Sequence, residues 1–163
     1  MKMIKTILWL FLSMVVLAVL AGCVDYNGPY PFRQELSNVT NVEICEFDPD
    51  NNGNPNDRKL IVQLSDSDAQ NLISELSAMN CGKFSYLGRT NNTHIGLLAI
   101  CITYGNGDME LIGLSNIYFI TSDGKKDYTS YHFESRELYD LIAKYVDPEL
   151  LPDMRSQYPH WFS

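Results

Sequence analysis

From His94 to Tyr104 the chain reads His-Ile-Gly-Leu-Leu-Ala-Ile-Cys-Ile-Thr-Tyr, a strongly β-prone apolar run without a charge. The residues that follow, Gly105-Asn106-Gly107-Asp108, are a hairpin signal, because Asn and Gly accept the positive φ of tight turns. Met109 to Thr121 (MELIGLSNIYFIT) returns alongside, with a bulge expected at Ser115-Asn116. Ser122-Asp123-Gly124-Lys125 makes a second turn, and Tyr128 to Phe133 (YTSYHF) a further strand. Connections this short force sequential strands to pair, so the heart of the domain is predicted as an antiparallel meander.

The flanking segments fit around that meander. Val39 to Phe47 alternates and reads as a strand; Leu60 to Leu64 is its partner across a long polar loop. Ser65 to Met79 is predicted as a helix, with Ser65 as N-cap and Asp68 in the first turn. Its Ala69, Leu72, Ile73 and Leu76 recur at helical spacing. Asn80 and Gly82 stop it, and Lys83 to Leu87 is a short candidate strand. A second helix is predicted over Arg136 to Val146, capped by Ser135, with Leu138, Leu141, Ile142, Tyr145 and Val146 inward and Asp147-Pro148 ending it. The aromatic tail Tyr158-Pro159-His160-Trp161-Phe162 should fold back on the domain. The order β-β-α-(β)-β-β-β-α gives the α+β class: a single, mostly antiparallel sheet with two helices packed on it.

The N-terminus is of another kind. Lys2 and Lys5 precede an apolar run from Ile7 to Leu20, broken only by Ser13, and small residues follow. Its 14 residues cover about 21 Å as a helix, short of a hydrocarbon core of roughly 30 Å, which argues for a processed signal segment over a permanent span. The motif Leu20-Ala21-Gly22-Cys23 resembles the lipobox of bacterial lipoproteins. That resemblance implies cleavage before Cys23, acylation of its thiol, and an extracytoplasmic domain held at the cell membrane. The remainder is similar in outline to small α+β lipoproteins of Gram-positive bacteria, without a shared motif. The expected organisation is a signal peptide over 1–22, lipidated Cys23 with a flexible tether over 23–37, and a globular domain over 38–163. Within the tether, Asn27-Gly28-Pro29 and Pro31 block a helix, while Tyr26, Tyr30 and Phe32 are free to dock on the domain or lie at the lipid interface.

Loss of Lys2 and Lys5 leaves 10 basic against 20 acidic residues. An acidic chain lacks the basic footprint of a nucleic-acid binder, and anionic lipid repels it, so anchoring falls to acyl chains. With Cys23 acylated, Cys45, Cys81 and Cys101 remain, an odd set. Cys101 reads as buried, whereas a Cys45–Cys81 disulfide is permitted.

Three groups of residues are candidates for chemistry. Asp48, Asp50, Asn52 and Gly53 follow the opening of a calcium loop, with Asp57 as a late ligand; calcium is the one cofactor considered. Lys59 stands where the closing bidentate Glu belongs, Pro55 interrupts the loop, and strands flank it, so a solvated turn competes with a metal site. Tyr104, Tyr118, Tyr128 and Tyr131 fall on adjacent predicted strands, where some of them could align as a cross-strand aromatic binding face, a use that competes with ordinary packing of a half-buried sheet. His94, His132 and His160 are scattered, and no nucleophile elbow or H-E-x-x-H occurs. The functional expectation is a lipid-anchored binding module for an envelope protein, peptide or glycan. The alternatives are an envelope hydrolase assembled only in three dimensions and a calcium-stabilised domain.

Overall fold

The structure is a computed structural model that describes residues 27–48, 57–83, 95–129, 131–155 and 158–161. Its strands are β1 (Asn27–Pro29), β2 (Val39–Glu46), β3 (Lys59–Gln63), β4 (Asn80–Lys83), β5 (Leu98–Tyr104), β6 (Met109–Gly113), β7 (Ile117–Ile120), β8 (Lys126–Tyr128) and β9 (Tyr131–His132). The helices are α1 (Asp66–Ala78) and α2 (Ser135–Ala143). Six strands form an antiparallel sheet in the order β3-β2-β5-β6-β7-β8, and β1-β4-β9 form a smaller one. The class is α+β, as the sequence predicts, with this second sheet added.

Strand β5 lies in the middle of the large sheet and is buried at every position but Thr103. Alternation divides the sheet into two faces. Val42, Ile44, Ile100, Ile102, Ile112 and Phe119 share one core with Leu72 and Leu76 of α1 and Leu138, Leu141 and Ile142 of α2. Cys45, Ala99, Cys101, Leu111, Tyr118 and Ile120 form a second core on the reverse face with Phe47 and Ile95. A central strand buried on both faces needs an uninterrupted apolar run, which accounts for the Leu98–Ile102 sequence.

Several boundaries differ from the sequence expectation. Met109 to Thr121 is two antiparallel strands, not one bulged strand: Ile112 pairs with Ile117, and the Gly113 amide donates to the Asn116 carbonyl at 3.0 Å. The β5–β6 ladder ends where Ala99 faces Gly113, and the Leu114 and Ser115 amides then bond to the Leu98 and Ile95 carbonyls as Ser115-Asn116 turns the chain. A side chain on Gly113 is excluded, since a Cβ there would lie 2.1 Å from the Ile95 carbonyl oxygen. The strand expected over Tyr128 to Phe133 also divides. Tyr128 ends the large sheet, whereas Tyr131 and His132 pair with Lys83 and Gly82 in the small one. The short strand after α1 falls at Asn80–Lys83, and the rest of its expected range lies outside the described residues.

Helix α1 starts as expected, with the Ser65 hydroxyl accepting from the Asp68 amide. At α2 the cap is Glu134, whose carboxylate accepts from the Glu137 amide at 2.8 Å; Ser135 sits inside the helix and donates to the Leu114 carbonyl at 2.7 Å. The carboxylate is at home there because it meets the unpaired amides and the positive end of the helix dipole. The C-terminal tail does return: Tyr158 stacks on Trp161 at 4.2 Å, and the Arg136 guanidinium lies over Trp161 at 5.4 Å.

From Asn27 onward the expected tether segment lies on the domain, with Tyr30 and Phe32 docked, one of the two alternatives held for them. Asn27, Gly28 and Pro29 pair with Gly82, Cys81 and Asn80, and Tyr30 is buried in the main core. Gln34 then donates to Asp108 at 2.6 Å, and the Gly105 amide to the Asn38 carbonyl at 2.8 Å. The segment behaves as a strap across the domain because its aromatic residues gain more by burial than an extended chain loses in freedom.

Candidate functional site

The strap is fastened at a buried carboxylate. Glu110 on β6 lies opposite Ile102 and Phe119, so alternation points it into the helix-covered core. It has 0 % exposure and is the only buried charged side chain among the described residues. A lone carboxylate there would carry a large desolvation cost, and the surroundings offset it with donors. The Tyr104 hydroxyl donates to Oε2 at 2.6 Å, the Tyr30 hydroxyl donates to Oε1, and the Arg33 amide supplies a third bond. Burial raises the carboxyl above the ordinary Glu range; the two hydroxyls and Arg33 pull it down without cancelling that shift. The Tyr30 and Tyr104 hydroxyls are themselves pushed upward, first by burial and then by the charge of Glu110, so both remain donors at physiological pH.

Above this triad is a cleft of about 150 Å³ lined by Tyr30, Pro31, Arg33, Tyr128, Thr129 and Tyr131. Arg33 crosses it, pairing with Asp127 at 2.5 Å and lying over the Phe119 ring at 5.3 Å. The volume is below the several hundred Å³ of ordinary small-molecule pockets, so the cleft suits one side chain or a few waters.

A larger groove, about 410 Å³, runs between α1 and the β2–β3 hairpin. Leu36, Val39 and Ile73 give it apolar patches, and Asn41, Gln63 and Gln70 line it with side-chain amides. Gln63 donates to Asn41 at 3.0 Å across the hairpin, and Leu36 is exposed. Neutral donors and acceptors beside apolar patches are the chemistry that meets a peptide backbone or a sugar hydroxyl.

The four tyrosines do not make one face. Tyr104 is buried on the helix-covered side and spent on Glu110. Tyr118 is buried on the reverse side, its ring 4.8 Å from that of Tyr128 and 5.1 Å from the Lys126 ammonium. Tyr131 belongs to the small sheet and packs edge-on against Tyr30. Only Tyr128 and Tyr131 line the cleft. Of the four, Tyr118 and Tyr128 align directly across β7 and β8, whereas Tyr104 occupies the opposite pleat and the expected third strand breaks between Tyr128 and Tyr131.

The remaining candidates are placed as follows. Asp48 and Asp57 flank the calcium-loop sequence, whereas Asp50 and Asn52, like Cys23 and His94, lie outside the described residues. Among the described residues, no group of three or more His, Cys, Asp and Glu side chains is placed to hold a metal ion. Cys45 and Cys81 are in different cores, so the disulfide permitted by sequence is not formed. Cys45 instead neighbours Cys101 diagonally across β2 and β5, where the contact with Cys45 and burial raise the Cys101 thiol. Glu110 is the residue that sequence reasoning missed. Its signal was parity: it shares a face with Ile112 and Leu114, a carboxylate on an apolar stripe. Compared with models of protein families, with curated proteins and with solved structures, the chain matches none.

Proposed function

We propose that the chain is a lipid-anchored protein of the cell membrane whose extracytoplasmic domain binds a peptide, protein or glycan of the envelope without catalysis. The observation that carries this reading is the lipobox-like Leu20-Ala21-Gly22-Cys23, followed after only three further residues by the clamped strand β1. A stable membrane attachment needs two or more acyl chains, and diacylation of Cys23 supplies them. The groove beside α1, with its side-chain amides and apolar patches, is the surface best suited to a neutral polar ligand.

Metabolic labelling with an alkyne palmitate analogue tests the anchor. The native chain takes the label and fractionates with membranes, and Cys23→Ser does neither; label retained by Cys23→Ser overturns the assignment. Ligand binding is tested by pull-down from envelope extract with the domain and with Ile73→Asp, which introduces charge into the groove. Capture that is indifferent to Ile73→Asp removes the groove from the reading.

A further inference from the structure

Cys23 and Asn27 are four residue steps apart, and each step spans at most about 3.6 Å. If Cys23 holds the lipid, Asn27 cannot stand more than about 14 Å from the lipidated residue. Asn27 itself does not swing, because β1 is paired along its length with β4, and the next residue, Tyr30, is buried and bonded to Glu110. The leash therefore ends on a fixed edge of a rigid body, which confines the orientation of the whole domain.

Charge supports the same geometry. The paired residues of that edge, Asn27, Gly28, Pro29, Asn80, Cys81 and Gly82, are all uncharged in a chain with net charge −8. Where the strap finishes, Gln34 bonds to Asp108 in the β5–β6 turn, and Asp108 in turn accepts from the Ser122 amide in the β7–β8 turn, which carries Asp123 beside Lys125.

We propose that the β1–β4 edge of the domain, to which the short leash is fixed, rests against the headgroups of the bilayer. The partner of this surface is a phospholipid membrane, and the proposal rests on the lipid-anchor reading above. Membrane-proximal attachment gives the domain one presented end in place of free tumbling on a leash.

The test uses the full-length protein purified from membranes and reconstituted into phosphatidylethanolamine–phosphatidylglycerol vesicles containing nitroxide-labelled lipid. A fluorophore is placed on Asn80→Cys, beside β1, or on Lys125→Cys, in the β7–β8 turn of the other sheet; both positions are exposed, whereas Cys45, Cys81 and Cys101 are buried and do not compete for label. Mass spectrometry of the Cys23 peptide is run on the same samples. With Cys23 acylated, the Asn80→Cys label should be quenched several-fold more strongly than the Lys125→Cys label. A Gly-Ser insertion between Cys23 and Asn27 should abolish that difference. Equal quenching on acylated protein overturns the orientation and leaves the anchor standing, whereas an unmodified Cys23 overturns the anchor reading and the orientation with it.

Discussion

Removing a single hydroxyl tests the role assigned to Glu110. Tyr30→Phe keeps the ring that packs against Phe32, Tyr131 and Phe133 and deletes only the donor to Oε1. A hydrogen bond to an ionised partner contributes about 1.5–3 kcal/mol, and one between neutral groups about 1 kcal/mol. Glu110 has its folded value above the ordinary one, so its protonated form contributes stability that is complete below the ordinary Glu range and lost as pH rises through the raised value. Above that value the carboxylate depends on its donors. The penalty of Tyr30→Phe should therefore grow with pH, from about 1 kcal/mol near pH 4 to about 2 kcal/mol near pH 8. At roughly 3 °C per kcal/mol for a domain of this size, the second figure lowers the melting midpoint by about 6 °C. Urea unfolding of the native domain, Tyr30→Phe, Glu110→Gln and the double variant at both pH values measures this. In the Glu110→Gln background the penalty should not change with pH. A penalty under about 0.5 kcal/mol, or one equal at both pH values with Glu110 present, refutes the charge-assisted latch.

Other consequences follow from single contacts. Gly113→Ala drives a methyl into the Ile95 backbone and should cost about 3 kcal/mol or more, read as a fall in the urea midpoint; a neutral result would mean that the Ile95 segment yields. Leu72→Ala empties a fully buried site under the sheet and should cost about 2–5 kcal/mol in the same assay. The exposed pair of Lys144 with Glu75 holds the Glu75 carboxyl below its usual range, and burial, with the bond to Glu75 second, lifts Tyr145 to about 12. That contribution is present above the ordinary Glu range and is lost as pH falls through the depressed value. Lys144→Ala should cost less than about 1 kcal/mol at neutral pH and nothing in strong acid, by urea unfolding at each pH. Ellman titration of the domain lacking residues 1–23 should find Cys45, Cys81 and Cys101 unreactive until the chain is denatured; rapid reaction of any one in the native state contradicts their burial.

Parity and periodicity account for most of what the sequence revealed. The Leu72 and Leu76 stripe, the Ser65 cap and the Gly105–Asp108 turn are local features, each specified by residues within one turn of one another. Where the sequence misled, a distant partner intervened. Ser115-Asn116 looked like a bulge because nothing local says that β5 ends its pairing at Ala99, opposite Gly113. Ser135 lost the cap position to Glu134 because the Leu114 carbonyl, on another element, takes its hydroxyl. Which of the tyrosines align, Tyr118 with Tyr128 and not Tyr104, depends on the register of one strand relative to the next, which spacing within a strand does not contain. Glu110 was legible as a carboxylate on an apolar stripe, but its partners Tyr30 and Tyr104 are 80 and 6 residues away, and the first comes from a segment that reads as linker.

By itself, then, the sequence determined the α+β class, the positions of both helices, the central apolar strand and the Leu20–Cys23 motif, because each follows from composition or short-range period. Tertiary structure alone decided that Asn27–Asn38 is a strap and not a tether, that Cys45 lies beside Cys101 and not Cys81, and that Glu110 is enclosed. The physical reason is common to all three. Burial and hydrogen-bond partnership are properties of surfaces brought together by long-range pairing, and a desolvated carboxylate is tolerated only where that pairing delivers donors from elsewhere in the chain.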